Sequence, residues 1–229
     1  MIVNVIDGRR EKNFDDSTKV LIDIFRATTT IPLMLYRNAK SIIPVRTITE
    51  TRKMKAKNPD YLTSGERYGV RIPRFNYGNS PSVIMGEDLS GKTLLFTSTN
   101  GIKVLFKIRE FPGDIYLSSF INFTATYNAI KDREKVSIIV SNRPDGISDE
   151  DYIYANMLKA KLEGEEVNVD DYCNQIRASH GAKRLKIMGA AADIESSLKV
   201  DIYHEPIIYS NGKIIPLTKL SGKSPSASE

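Results

Sequence analysis

Four stretches of this chain repeat one arrangement: a short, continuously apolar run, a segment rich in Ser, Thr, Asn or Gly, and then a run with helical spacing. Val20-Leu21-Ile22-Asp23-Ile24-Phe25 is followed by Arg26-Ala27-Thr28-Thr29-Thr30 and by Ile31 to Tyr36. Thr93 to Phe96 leads through Thr97-Ser98-Thr99-Asn100-Gly101 into a helix carrying Val104, Leu105 and Ile108. Ile115-Tyr116-Leu117 precedes Ser118 to Asn122 and a helix from Ala125 to Ile130. Val136 to Val140 precedes Ser141 to Gly146 and a helix from about Asp149 to Leu162. Short apolar strands alternating with helices suit a largely parallel sheet covered on both faces, because such strands have no solvated side. The pattern therefore predicts an α/β chain. Further strands are expected at residues 2–6, at Ser41 to Val45 and near Ile207 to Tyr209. The last of these turns through Asn211-Gly212 into Lys213 to Leu217 as a hairpin, which makes the sheet mixed.

Between a helix expected at Glu50 to Lys57 and the strand at Thr93 the periodicity fades, and GERYGVRIPRFNYGNSP fills residues 65–81. A loop of that length inside a compact domain is expected either to bind or to cover a site, or to be an irregular excursion over a sheet edge. The last residues, SGKSPSASE at 221–229, hold no apolar side chain larger than alanine and are expected to be a disordered tail.

With 229 residues, 41% hydrophobic and 27% charged, the chain has the composition of a soluble globular protein. Residues 1–220 are expected to form one domain with room for two lobes. The single cysteine, Cys173, cannot form an intrachain bridge or a multi-thiolate zinc site, which suits a reducing cytoplasm. The net charge of +5 comes from Lys and Arg scattered among acids, so nucleic-acid binding is not expected, whereas an anionic ligand is. No apolar run spans a bilayer and MIVNVIDG lacks the form of a secretory signal, so a cytoplasmic protein without a membrane partner is expected. The oligomeric state is left open, a homo-oligomer included.

In open α/β sheets ligands gather at the carboxyl ends of the strands, where helix N-termini offer unpaired N–H groups to anions. Arg26, Thr28, Thr29 and Thr30 there read either as part of an anion site or as plain N-capping by a threonine ahead of Pro32. Ser148-Asp149-Glu150-Asp151 reads either as oxygen ligands for a hard divalent cation or as a capping box with acids on the helix dipole. Asp23, inside the run VLIDIF, needs a partner if it is buried. His180 and His204 lack metal-binding spacing, and no P-loop, Rossmann glycine fingerprint or serine-hydrolase elbow is present. Cys173 lies among acids in DDYC and reads as structural.

DIFRATTTI at 23–31, GERYG at 65–69, FNYGNSP at 75–81 and TSTNG at 97–101 resemble, in order, the motifs of the 2-phosphosulfolactate phosphatase family. Asn122, the DGxxxED pattern ending at Glu150-Asp151, and ADIESSLKVD at 192–201 extend the likeness. The resemblance implies an α/β/α fold with a mixed sheet and an Mg²⁺-dependent hydrolysis of 2-phosphosulfolactate, a step of coenzyme M synthesis. It also makes the matched positions site candidates, and among them we expect Asp23, Arg26 and Glu66 to be catalytic and Asp23, Glu150 and Asp151 to hold the metal. Arg67, Asn79, Ser80, Thr97, Thr99, Asn100 and Asn122 would bind the substrate.

Three departures from the family's pattern stand out: Asn76 in place of an aspartate, Ser141-Asn142-Arg143 in place of a small Cys-Ala-Gly-like stretch, and Ser196-Ser197 in the late segment. They leave two alternatives: a phosphatase for another small phosphorylated hydroxy acid, and a non-catalytic binder of anionic metabolites.

Overall fold

The computed structural model describes residues 1–220, so the tail expected to be disordered lies outside the described residues. Strands β1 (Ile2–Asp7), β2 (Thr18–Ile22), β3 (Ser41–Pro44), β6 (Thr93–Thr97), β7 (Ile115–Ser118) and β8 (Lys135–Val140) form where the apolar runs predict them. So do helices α1 (Ala27–Tyr36), α2 (Ile48–Lys57), α4 (Gly101–Ile108), α5 (Phe123–Ile130) and α6 (Asp149–Leu162). The hairpin of β9 (Ile207–Ser210) and β10 (Lys213–Pro216) turns through Asn211 and Gly212 at φ 48° and 76°, the positive values a two-residue turn needs to match strand twist.

The aperiodic stretch is more regular than its sequence suggests. It contains β4 (Leu62–Arg67), β5 (Val70–Arg71) and the short α3 (Pro81–Ile84). β4 reads LTSGER, with no β-branched apolar run, because its polar side chains are buried on partners from the same stretch. Thr63 Oγ1 donates to Asn76 Oδ1 at 3.0 Å, and Ser64 Oγ donates to the Gly78 carbonyl at 2.6 Å. After α6 come α7 (Val169–Ala178), α8 (His180–Ile187) and α9 (Ala191–Ser197).

The sheet runs β1-β8-β2-β7-β9-β10-β3-β6-β4-β5. It is mixed and mostly parallel, as expected. Alternate residues of one strand enter different cores: Val20 and Ile22 pack with α5 to α8, while Leu21 packs with α1 and α4. Helices thus cover both faces, which explains why these strands read as unbroken apolar runs.

β1, β8, β2 and β7 are mutually parallel, and so are β3, β6 and β4. The antiparallel pairs β7–β9, β9–β10 and β10–β3 lie between the two sets, so the sets run in opposite senses along the ladder. Their carboxyl ends nevertheless meet, because the Gly101 N–H after β6 donates to Asp23 Oδ2 after β2 at 2.8 Å. The hairpin thus separates the two parallel sets whose loops together build the site.

Candidate active site

The loops leaving β2, β4, β6 and β8 enclose a cavity of about 170 Å³, closed on a further side by α8. Asp23, Arg26, Glu66, Asn79, Thr99, Asn100 and Glu150 line it, together with Arg143 and Arg184.

Asp23 is buried, and its carboxylate receives the first N–H groups of two helices, from Gly101 of α4 and Ala27 of α1. A Cβ on Gly101 would lie 2.7 Å from Asp23 Oδ2, so the close approach requires glycine. Burial raises the Asp23 pKa to about 6 against the lowering by those N–H groups, and the neighbouring Glu66 charge adds to the rise. The threonines of α1 do not cap it: Arg26 is the N-cap residue and makes no side-chain cap bond. Thr28 Oγ1 instead accepts from the Asp23 N–H at 2.9 Å, and Thr29 Oγ1 donates to the Ile24 carbonyl at 2.9 Å. The threonines thereby fix the turn that presents Asp23 and Arg26.

Arg26 is buried and held from two sides. Nη1 donates to Asp193 Oδ2 at 2.7 Å, and Nη2 to the Gly69 carbonyl at 2.7 Å. Asp193 Oδ1 also accepts from Ser80 Oγ at 2.6 Å and from the N–H and hydroxyl of Ser82 at 3.1 and 2.6 Å. Asp193 is therefore the residue that ties Arg26, the start of α3 and α9 together. Sequence reasoning placed it in a matched segment without giving it a role.

Glu66 ties two loops. Its carboxylate accepts from the Thr99 N–H, from Thr99 Oγ1 at 3.0 Å and from the Gly69 N–H at 2.6 Å. Asn100 Oδ1 accepts from Arg9 Nη2 at 3.0 Å.

At the start of α6 the capping box is not formed: Ser148 makes no side-chain cap bond. Asp151 Oδ1 accepts from the Ile24 N–H at 2.8 Å and Oδ2 from Ser141 Oγ at 3.4 Å, so this carboxylate braces the β2 and β8 loops from beneath. Burial, then the Asp23 and Glu150 charges, push its pKa well up. Glu150 is 2% exposed, and its Oε2 has no partner, while Arg143 Nη1 stands 3.7 Å from Oε1. Burial, then the neighbouring Asp149 carboxyl, raise the Glu150 pKa to about 8. A Cβ on Gly181 of α8 would lie 2.3–2.4 Å from the Glu150 carboxylate, so glycine permits that helix to close the cavity.

The structure thus brings seven of the expected residues around one cavity and places five elsewhere. Asp151 and Ser80 are engaged behind the wall. Arg67 donates to the Glu66 carbonyl at 2.7 Å and to Thr97 Oγ1 at 2.9 Å, and neither Arg67 nor Thr97 lines the cavity. Asn122, fully buried, accepts from the Ser119 N–H at 3.1 Å and donates to the Leu117 carbonyl at 3.0 Å, holding the turn after β7. Arg184, Leu185 and Met188 line the cavity without having been anticipated. Their signal in the sequence, the helical spacing from Gly181 onward, is indistinguishable from that of any surface helix.

Among the described residues no group of three or more His, Cys, Asp or Glu side chains is placed to hold a metal by itself. A smaller oxygen set is present: Glu150 Oε2 and Asn79 Oδ1 are both buried without a partner, on residues that line the cavity beside Asp23. An all-oxygen set with one or two carboxylates is what Mg²⁺ accepts, since it keeps several waters and takes further ligands from a phosphate.

The family model described as 2-phosphosulpholactate phosphatase matches residues 4–212. A "Probable 2-phosphosulfolactate phosphatase" of Thermoplasma volcanium is 40% identical over 93% of this chain and 99% of that protein. One of the same name from Thermoplasma acidophilum is 42% identical over 93% of this chain and 95% of its own length. Another, from Thermotoga maritima, is 32% identical over 86% of this chain and 91% of its own length. The match takes in every loop that builds the cavity, from β2 to α9, and the chain belongs to the 2-phosphosulfolactate phosphatase family, a family of phosphoric monoester hydrolases.

Proposed function

We propose that this protein hydrolyses 2-phosphosulfolactate to sulfolactate and inorganic phosphate with Mg²⁺ as cofactor, in the setting of coenzyme M synthesis. The observation that carries the reading is the convergence on one cavity of two helix N-termini at Asp23, the anchored Arg26, and the unpartnered oxygens of Glu150 and Asn79. Asp23, Glu150 and the Asn79 amide oxygen would hold Mg²⁺. Bound there, the ion would neutralise charge at the phosphoryl group and activate an attacking water.

The chain's own groups do the rest. Arg26 cannot swing away, because Asp193 and Gly69 hold both of its terminal nitrogens, so its remaining N–H groups meet a phosphoryl oxygen without reorganisation. The Asn100 amide nitrogen is directed by the bond that Arg9 makes to the amide oxygen, and donates to a second phosphoryl oxygen. Glu66 keeps Thr99 and the loop after β6 in place. Asp151 keeps the Ile24 backbone, and with it Asp23, in register with α6.

The test is phosphate release from 2-phosphosulfolactate with Mg²⁺ and with chelator, in the parent and in Asp23→Asn. The parent is expected to turn over only with the metal, and the variant to lose about 10²–10³ in kcat, the usual loss for one preorganised group. Equal rates in parent and variant would remove Asp23 from the mechanism, and full activity in chelator would remove the metal.

A further inference from the structure

We infer that Arg184 of α8 is a specificity residue of this site, binding one of the acidic groups, carboxylate or sulfonate, that the substrate carries besides its phosphate. The inference rests on the phosphatase reading above and assigns to it a residue that no motif singled out.

The guanidinium groups in and near the cavity differ in what already engages them. Arg26 has both terminal nitrogens engaged by Asp193 and Gly69. Arg67 has its two engaged by the Glu66 carbonyl and Thr97, away from the cavity. Arg143 donates to the Ile147 carbonyl at 2.7 Å and faces Glu150 and Asp145 at 3.7 and 4.0 Å. Arg184 lines the same cavity, and among the described residues its side chain makes no hydrogen bond or ion pair. It is the lining arginine whose whole fork remains for a ligand.

The position is also rigid. Ser179 Oγ accepts from the Ala182 N–H at 3.0 Å and caps α8, and Gly181 seats that helix against the Glu150 carboxylate. Gly181, Arg184, Leu185 and Met188 all line the cavity at i, i+3, i+4 and i+7, so one face of α8 forms a wall with a single charge on it. Asp23 and Glu150, the residues read as holding the metal beside the phosphoryl group, line the same cavity. A ligand held there by its phosphate occupies the space that Arg184 borders, within reach of its fork. A planar fork of five donors suits a carboxylate or sulfonate, which accepts two parallel hydrogen bonds.

Two readouts test this on the full chain. With Mg²⁺ present, kcat/KM is measured for 2-phosphosulfolactate and for isopropyl phosphate, a monoester without a second acid, in the parent, Arg184→Met and Arg184→Lys. Arg184→Met is expected to lose at least tenfold more on the sulfonated ester than on isopropyl phosphate, mainly through KM, and Arg184→Lys to recover part of the difference. Calorimetric titration with sulfolactate, which has both acids and no phosphate, is expected to show Kd at least tenfold weaker in Arg184→Met. Equal losses on the two esters, or an unchanged Kd for sulfolactate, would overturn the assignment. A parent that hydrolyses neither ester defeats the phosphatase reading instead, and the sulfolactate titration then decides the role of Arg184 alone.

Discussion

Replacing Asp193 by asparagine keeps the side chain's shape and removes its charge, which isolates the buried ion pair behind the cavity. Asp193 is 1% exposed and Arg26 7%, with 2.7 Å between Oδ2 and Nη1. Unit charges about 4 Å apart in an effective dielectric near 20 attract by about 4 kcal/mol. Deleting one partner of such a pair costs about 3–5 kcal/mol, because the other charge stays buried and unpaired. Asparagine retains one acceptor oxygen, which can serve either Arg26 or the Ser80 and Ser82 donors, and its NH₂ then opposes the other set. The expected loss is therefore at the lower end, about 3 kcal/mol. For a chain of this size that lowers Tm by about 6–12 °C at roughly 2–4 °C per kcal/mol. Scanning calorimetry reads the stability, and phosphate release below the new Tm reads the site. Released from one anchor, Arg26 is misplaced by something like 1 Å, and kcat/KM should fall about 10²-fold. A variant melting within about 2 °C of the parent would refute the reasoning, since the pair would then contribute almost nothing. A large loss of stability with unchanged kcat/KM would sink the claim that Asp193 positions Arg26.

Two further outcomes follow from groups placed by the same burial. Because the Glu150 pKa is raised from 4.5 to about 8, the folded protein binds that proton more tightly than the unfolded chain does. Its contribution to stability is therefore full below pH about 4.5 and lost as pH rises through about 8. In chelator, the urea midpoint of the parent relative to Glu150→Gln should fall across that window, and a rising difference would contradict the assignment. At the far end of β2, the fully buried Lys19 donates from Nζ to the carbonyls of Asp15 at 2.7 Å, Ser17 at 3.1 Å and Pro112. Lys19→Met leaves those acceptors without their donor, at about 1–3 kcal/mol each. Denaturation should show a loss of at least about 3 kcal/mol with KM unchanged, and a neutral effect would mean that water replaces the ammonium.

The apolar runs at β2, β6, β7 and β8 announced themselves because both of their faces are covered, and the Asn211-Gly212 turn because only a few residues tolerate its backbone. Asp23 was legible for a related reason: a carboxylate inside an apolar run needs a partner wherever the chain leads. β4 was not legible, since its polar residues are satisfied by Asn76 and Gly78, and no local pattern records such a partner. The competing readings of Thr28 to Thr30 and of Ser148 to Asp151 are likewise separated by tertiary contacts, where Ile24 and Ser141 draw Asp151 away from a cap.

The sequence by itself determined the α/β alternation, the hairpin that makes the sheet mixed, and, through its ordered motifs, the family. Only the tertiary structure decided which members of those motifs face the cavity. Arg67 and Arg184 are equivalent as letters, yet one is engaged by β4 and β6 and the other, among the described residues, is presented unpaired by α8. Local order follows from periodicity and turn chemistry, which neighbours along the chain set. The burial and hydrogen-bond partners of a charged group are set by residues far away in sequence, brought together here by the strand order of a long sheet and a glycine against Glu150.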